Sequence, residues 1–341
     1  MRAIMKTAAG AGNVEISEFD EPRVSKGQVK IKVAYAGVCG TDVKIRNGEA
    51  WSNPPVVMGH EYSGIVHEVG EGVTGIKPGD RVVSETAQVI CGRCYYCING
   101  IYLMCPERLS IGYGTHGAFT DFIIVREAIV HKIPDGITLE EAALSEPLAV
   151  ATHAVMDSVC LTPTDTVVVT GPGAIGLLAA QVVKANGATC VITGVDIDAR
   201  KLDMALTLGI DAAINSQKDD VVAKILDMTG GKGADYVIEC SGAAAAVDSG
   251  LRMLKRRGTM VQIGLTKPTL EIPYALLPNN EQTIKGTFGH TWNNWVMALE
   301  LLAKKKVKTQ PLISDILPID EWALAFDKAE RLEGIKVLFK L

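Results

Sequence analysis

Cys91, Cys94, Cys97 and Cys105 stand in the pattern C-x2-C-x2-C-x7-C. Two intervening residues let neighbouring thiolates turn onto one tetrahedral cation, and four thiolates leave no position open. This spacing predicts a structural zinc site. A redox dithiol pair, an iron–sulfur cluster and unconnected buried cysteines are the other readings of the same residues. Glycine, Tyr95 and Tyr96 between the ligands suggest a small surface lobe. A second constellation is dispersed. Cys39 lies in Val38-Cys39-Gly40-Thr41-Asp42, His60 and Glu61 in Met58-Gly59-His60-Glu61-Tyr62, and Glu146 in Ser145-Glu146-Pro147. One thiolate, one imidazole and one or two carboxylates suit a catalytic zinc that keeps a position for water or substrate. Each residue also has a plainer reading, Cys39 as a small buried hydrophobe and the His-Glu pair as surface.

A third group concerns phosphate. Gly171-Pro172-Gly173-Ala174-Ile175-Gly176 follows an apolar run at 166–170 and opens a helical pattern. In that strand–turn–helix setting G-x-G-x-x-G predicts a dinucleotide site. The first glycine permits the turn, the second lets backbone approach the pyrophosphate, and the third lets helix and strand pack closely. The helix N-terminus offers free N–H groups to the phosphates. Asp196, about 20 residues past Gly176, is placed to accept hydrogen bonds from the adenosine ribose, which favours NAD. If Gly194 is the true strand end, Asp196 moves into the following turn. Arg200 and Lys201 then stand near enough to welcome the extra phosphate of NADP.

The elements that must position these groups change style near residue 150. Before it lie short alternating strands at 28–38, 63–69, 80–84 and 119–125, punctuated by glycine, which read as an irregular β-rich domain. After it, apolar runs at 166–171, 190–195, 235–240 and 259–264 alternate with helical stretches closed by glycine. That alternation predicts an α/β fold with a doubly wound parallel sheet. Helical stretches at 292–305 and 319–331 and a final strand close the chain. At 341 residues two domains are expected. A net charge of −5 gives no reason to expect nucleic acid or an anionic membrane as partner. No apolar run is long enough to span a bilayer, and MRAIMKTAAG lacks the apolar core of a secretory signal. Clustered cysteines without a disulfide framework fit a reducing compartment, so a cytoplasmic location is expected.

Gly59-His60-Glu61-x-x-Gly64-x5-Gly70-x2-Val73, followed by Lys77-Pro78-Gly79-Asp80-Arg81-Val82, resembles the signature of the zinc-containing medium-chain dehydrogenases/reductases. The cysteine cluster and the later glycine fingerprint match in order and spacing, so the resemblance covers essentially the whole chain. It implies a GroES-like catalytic domain built from 1–150 and 291–341, with a Rossmann domain inserted at 151–290. Glu61 directly after the histidine is similar to the polyol (sorbitol, D-arabitol-phosphate) and threonine dehydrogenase branch. Carried over, Cys39, His60 and Glu61 are ligands of a catalytic zinc, and Glu146 binds it directly or through water. Thr41 matches the hydroxyl residue that bonds the reacting alcohol. The resemblance further implies two zinc ions per chain, NAD with NADP as the alternative, and a small-molecule polyol or polyol phosphate. It also implies a homotetramer, with a homodimer as the alternative. The nearest rival activity is L-threonine 3-dehydrogenase, and a zinc-bearing nucleotide-binding module without catalysis is the rival of a different class.

One position departs from the branch. Where many polyol and threonine dehydrogenases carry a proton-relay histidine, this chain has Lys44, which is either an exposed lysine or a point charge for a substrate phosphate. His290, Trp292 and Trp295 are candidates for the substrate cleft, with packing or capping by Thr291 as the alternative. His67, His116 and His131 read as structural or surface residues, and His153, on an expected helix at 139–158, as core.

Overall fold

Alternating apolar residues make Gln28–Gly37 the longest strand of the computed structural model, which describes residues 1–266 and 269–341. Its chain divides into two units. One comprises Met1–Glu146, Thr291–Ala303 and Thr309–Leu341, the other Pro147–His290 and Lys304–Lys308.

In the first unit, Gln28–Gly37 pairs antiparallel along one edge with Glu61–Val69, so that Gly37 faces Glu61. Along its other edge it pairs first with Phe122–Arg126 and then, from Tyr35 to Gly37, with the C-terminal strand Lys336–Lys340. Register shifts near Ile31 and Tyr35 mark bulges, which bend a strand and raise its twist. The same seven-stranded sheet includes Arg81–Ser84, Val130–Lys132 and Ile313–Pro318. Its core gathers Val29, Ile31, Phe119, Phe326 and Phe339, with the Phe119 ring edge-on to Phe339 at 5.0 Å. A three-stranded sheet (Val14–Glu18, Arg2–Lys6, Val56–Val57) belongs to this unit. So does a two-stranded one, Ala87–Val89 with Leu109–Ser110.

The second unit holds one parallel sheet of six strands. Their order is Ala212–Asn215, Thr189–Gly194, Thr166–Thr170, Ala234–Glu239, Leu254–Gln262 and Thr283–Gly286. In chain order that is 3-2-1-4-5-6, the doubly wound arrangement whose direction reverses between the first and fourth strands. Val167, Val168 and Val169 are all fully buried, because helices cover a parallel sheet on both faces. Each such side chain contributes about 1.5–3 kcal/mol by leaving water.

Two details differ from the sequence pattern. The sheet also contains Ala212–Asn215, whose apolar run is only three residues long, and Thr283–Gly286, which has no apolar run and is exposed throughout. The helical stretch expected at 139–158 is two helices, Leu139–Ala142 and Ser145–Met156. Thr138 and Glu141 form a capping box on the first.

Candidate functional site

Cys39 leaves the strand Gln28–Gly37 and caps the short helix Gly40–Arg46. Its sulfur accepts the Thr41 N–H at 3.5 Å, and its own N–H is taken by the Asp42 carboxylate at 2.9 Å. Glu61 opens the strand Glu61–Val69, and His60 immediately precedes it. They turn inward because Gly59 sits at φ +90, where a Cβ would lie 2.4 Å from the Phe119 ring. Only glycine fits there.

Ligand atoms of Cys39, His60 and Glu61 all lie within 4.8 Å of one another, and His60 and Glu61 are buried. The fully buried Asp42 lies beneath the imidazole, its Oδ1 3.6 Å from His60 Nδ1, and neither atom has a hydrogen-bond partner among the described residues. Burial opposes protonation of His60, but Asp42 and Cys39 outweigh it and hold its pKa well above the ordinary value. Both carboxylate oxygens of Glu61 accept from Lys336 Nζ, at 2.9 and 2.6 Å, and the same ammonium donates to the Val38 carbonyl at 3.1 Å. Gly37 makes room, since a Cβ there would stand 2.6 Å from Glu61 Oε2.

Glu146, in the first turn of Ser145–Met156, is not among the three convergent ligands. It is near enough to feel His60, Glu61, Lys336 and Asp42, and burial pushes its carboxyl up to about 7. Thr41 is partly buried beside Cys39. Lys44 is partly buried and makes no ion pair among the described residues. The Tyr113 ring stands edge-on to His60 at 6.1 Å, with Trp51 edge-on behind it at 6.5 Å.

A thiolate, an imidazole and a carboxylate on one point, with an acid positioned behind the imidazole, is a donor set that fits a divalent cation. A cation there would compete with the proton on His60. Sequence reasoning missed Lys336, Asp42 and Tyr113 as members of this site. Asp42 alone had a signal, its N3 position after a cap residue.

The four cysteines also converge within 4.8 Å. Cys94 caps the short helix Tyr95–Ile98. Backbone N–H groups of Cys94, Cys97 and Cys91 point at the sulfurs of Cys91, Cys94 and Cys105, at 3.3, 3.4 and 3.4 Å. The N–H groups of Arg93 and Cys94 pull the Cys91 thiol down to about 6, whereas burial and the neighbouring thiols push Cys97 up to about 12. A cation would take all four as thiolates.

In the second unit the three fingerprint glycines have separate constraints. Gly171 has φ +87 and backs onto Ser241, a Cβ on Gly176 would lie 1.9 Å from the Gly171 carbonyl, and Gly173 has nothing within 4 Å. Gly173 caps the helix Ala174–Ala185, with Ala174 and Ile175 as its first residues. The strand Thr189–Gly194 ends at the glycine, so Asp196 lies in the following 3-10 turn. Its exposed carboxylate accepts from Asn215 at 2.7 Å, with Lys218 at 3.7 Å. Lys201 is buried and paired with Asp198 at 3.1 Å.

Other assignments change. Trp295 is a core residue, 1% exposed and stacked on His131 at 5.5 Å, and His131 bonds Glu85 at 3.3 Å. Trp292 is half-exposed beside the same imidazole at 5.2 Å, and His290 is buried. Asn294, not a substrate, takes the Thr291 N–H and hydroxyl, both at 2.7 Å. His153 is not core: it is partly exposed and bonds Asp157 at 2.8 Å. His67 is exposed beside Phe122.

The chain matches two family models, an alcohol dehydrogenase GroES-like domain over residues 25–135 and a zinc-binding dehydrogenase over residues 174–304. It is 42% identical over 339 residues to the sorbitol dehydrogenase of Halalkalibacterium halodurans, covering 99% of this chain and 98% of that one. The D-arabitol-phosphate dehydrogenase of Enterococcus avium is 36% identical over 343 residues, covering 100% and 97% of the two chains. The L-threonine 3-dehydrogenase of Pyrococcus horikoshii is 37% identical over 350 residues, covering 100% and 99%. Among solved structures, a zinc-binding dehydrogenase of Sinorhizobium meliloti 1021 bound to NADP superposes with TM-score 0.93 at 30% identity, covering 100% and 99%.

Proposed function

Because the chain belongs to the zinc-dependent medium-chain dehydrogenases, in their polyol and threonine dehydrogenase branch, we propose that it oxidises a secondary hydroxyl of a sugar alcohol to the ketose, with NAD as hydride acceptor. The dehydrogenase class is given by the family; the substrate and the residue roles are the proposal. The observation that carries the roles is the convergence of Cys39, His60 and Glu61 within 4.8 Å.

In this reading the first unit is catalytic and the second binds the dinucleotide. Cys39, His60 and Glu61 would hold the zinc, with Glu146 as a further ligand, direct or through water. Zinc bound there supplies Lewis acidity, which stabilises negative charge on an alcohol oxygen. Asp42 orients the His60 ring and fixes its tautomer. Lys336 holds the Glu61 carboxylate in place. Thr41 accepts the hydroxyl proton and passes it on, and with Lys44 in place of a relay histidine that proton leaves through water or the cofactor ribose. The dinucleotide supplies the hydride acceptor, with Gly171, Gly173, Ala174, Ile175 and Gly176 at its pyrophosphate and Asp196 at its adenosine ribose. Lys201, tied to Asp198, has a lesser part than an exposed cation would.

The four-cysteine lobe would hold the second zinc as a structural site. Thiolate ligands fit a reducing compartment, and among the described residues no helix is long and apolar enough to cross a membrane. We place the enzyme in the cytoplasm and, by analogy with its architecture, as a homotetramer.

A panel of free alditols, alditol phosphates and L-threonine, each with NAD and NADP, tests the assignment. The expected result is the highest kcat/KM on an unphosphorylated alditol with NAD. A tenfold preference for threonine would overturn it in favour of the rival activity. Two zinc ions and bound dinucleotide without turnover on any member would overturn it in favour of a non-catalytic module.

A further inference from the structure

Glu239 ends the strand Ala234–Glu239 with its carboxylate fully buried, 0% exposed. A buried carboxylate normally has a cation beside it. Among the described residues, every donor to this one is neutral. Oε1 accepts the Ser241 N–H at 2.8 Å, the Gly242 N–H at 3.1 Å, the Thr170 hydroxyl at 3.2 Å and the Ser241 hydroxyl. Oε2 accepts the Gly242 N–H at 3.0 Å and the Gln262 amide at 2.5 Å. Backbone N–H and amide groups can only donate, so the acceptor-only carboxylate is the form that satisfies them.

The segments it gathers are the ends of three neighbouring strands. Thr170 immediately precedes the fingerprint turn. Ser241 is the residue against which Gly171 packs, a Cβ on Gly171 lying 2.8 Å from the Ser241 side chain. Gln262 ends Leu254–Gln262, and the backbone carbonyl of Glu239 takes the N–H groups of Ile263 and Gly264 beyond it, at 2.8 and 2.9 Å. Gly264 and Gly242 meet so closely that a Cβ on Gly264 would lie 2.3 Å from the Gly242 nitrogen and 2.6 Å from Glu239 Oε2. One carboxylate therefore ties together the strand ends on both sides of the point where strand order reverses. In open doubly wound sheets the ligand lies outside the carboxyl ends of the strands at that point.

We propose that Glu239 is a positioning residue for the dinucleotide: it sets the shape of the crevice floor, and its charge, which no donor among the described residues neutralises, favours oxidised over reduced nicotinamide. The shape follows from the bonds above. The charge follows from sign, because the oxidised ring is cationic and the reduced ring neutral, and a buried charge is screened little. This inference rests on the dehydrogenase reading only in requiring that a dinucleotide binds.

Dissociation constants for NAD and NADH, measured by calorimetry and fluorescence on the zinc-loaded full chain at 25 °C, test it. Glu239→Gln is expected to weaken NAD at least tenfold and NADH at least threefold less than NAD, with zinc content unchanged. Constants within twofold of wild type in folded protein would overturn the inference. Equal losses for both forms would overturn its charge component. Should Glu239→Gln not fold, Thr170→Val and Gln262→Ala each remove one donor and keep the charge. They are expected to weaken both forms by the same factor, about threefold, and unchanged affinity in both would overturn the shape component. A wild type that binds neither form overturns the dehydrogenase reading and this inference together, whereas binding without a variant effect overturns this inference alone.

Discussion

Lys336 and Glu61 form a buried two-oxygen ion pair, 2.6 and 2.9 Å from ammonium to carboxylate, across 275 residues of sequence. The pairing follows from register. Gly37 faces Glu61 on one edge of its strand and Leu338 on the other, which brings the start of Lys336–Lys340 over the carboxylate.

Removing the ammonium should leave Glu61 as an uncompensated buried charge. Lys336→Met is expected to destabilise the metal-free protein by about 3–5 kcal/mol, and the zinc-loaded protein by less, because the metal then balances the carboxylate. Lys336→Arg should recover part of the loss. Urea unfolding with and without chelator checks this, and an equal loss in both states would contradict it.

The two candidate metal sites should fail differently. Cys39→Ser is expected to lower kcat by at least about 100-fold with dinucleotide affinity within twofold of wild type. Cys97→Ser should lower bound zinc from two ions to one and reduce the unfolding midpoint, because a closed thiolate site contributes folding free energy. Metal analysis beside steady-state kinetics separates the two, and full zinc content in Cys97→Ser would refute the structural assignment.

Dinucleotide preference should turn on Asp196. Gly194 cannot take an acid readily, since a Cβ there would lie 2.9 Å from Pro172 and 3.1 Å from the Asp198 side chain. Asp196→Ser is therefore expected to lower the ratio of kcat/KM for NAD to that for NADP by about tenfold, roughly 1.4 kcal/mol. An unchanged ratio would remove Asp196 from the cofactor site.

Acid sensitivity should include His116. Its ring nitrogen accepts the Val57 N–H at 3.2 Å, and burial lowers its pKa from the usual 6.5. A histidine with a lowered folded pKa contributes fully above the unfolded value, and the contribution is lost as pH falls through the folded pKa. Urea midpoints at pH 7.5 and pH 5 should therefore fall further for wild type than for His116→Gln. A parallel fall in both proteins would argue against it.

Much of the local chemistry is legible in the sequence alone. Two-residue spacings between Cys91, Cys94 and Cys97 leave their sulfurs little choice but to converge, because so short a turn restricts where they can point. Gly171, Gly173 and Gly176 likewise sit within one strand–turn–helix unit. Strands buried on both faces announce themselves as apolar runs, whereas Ala212–Asn215 and Thr283–Gly286 do not, being short and, in the second case, exposed. Trp295 shows the converse, an aromatic residue whose type suits a binding cleft but whose place is against His131 in the core.

The sequence by itself determined the fold class, the four-thiolate spacing and the phosphate fingerprint, all set within a few consecutive residues by turn and strand geometry. Only the tertiary structure decided that Lys336 neutralises Glu61, that Asp42 lies beneath His60, and that Glu239 ties three strand ends together. The first and third of those contacts depend on sheet register between distant segments, and the second on where the helix Gly40–Arg46 begins. A one-residue slip of register would turn every side chain to the opposite face.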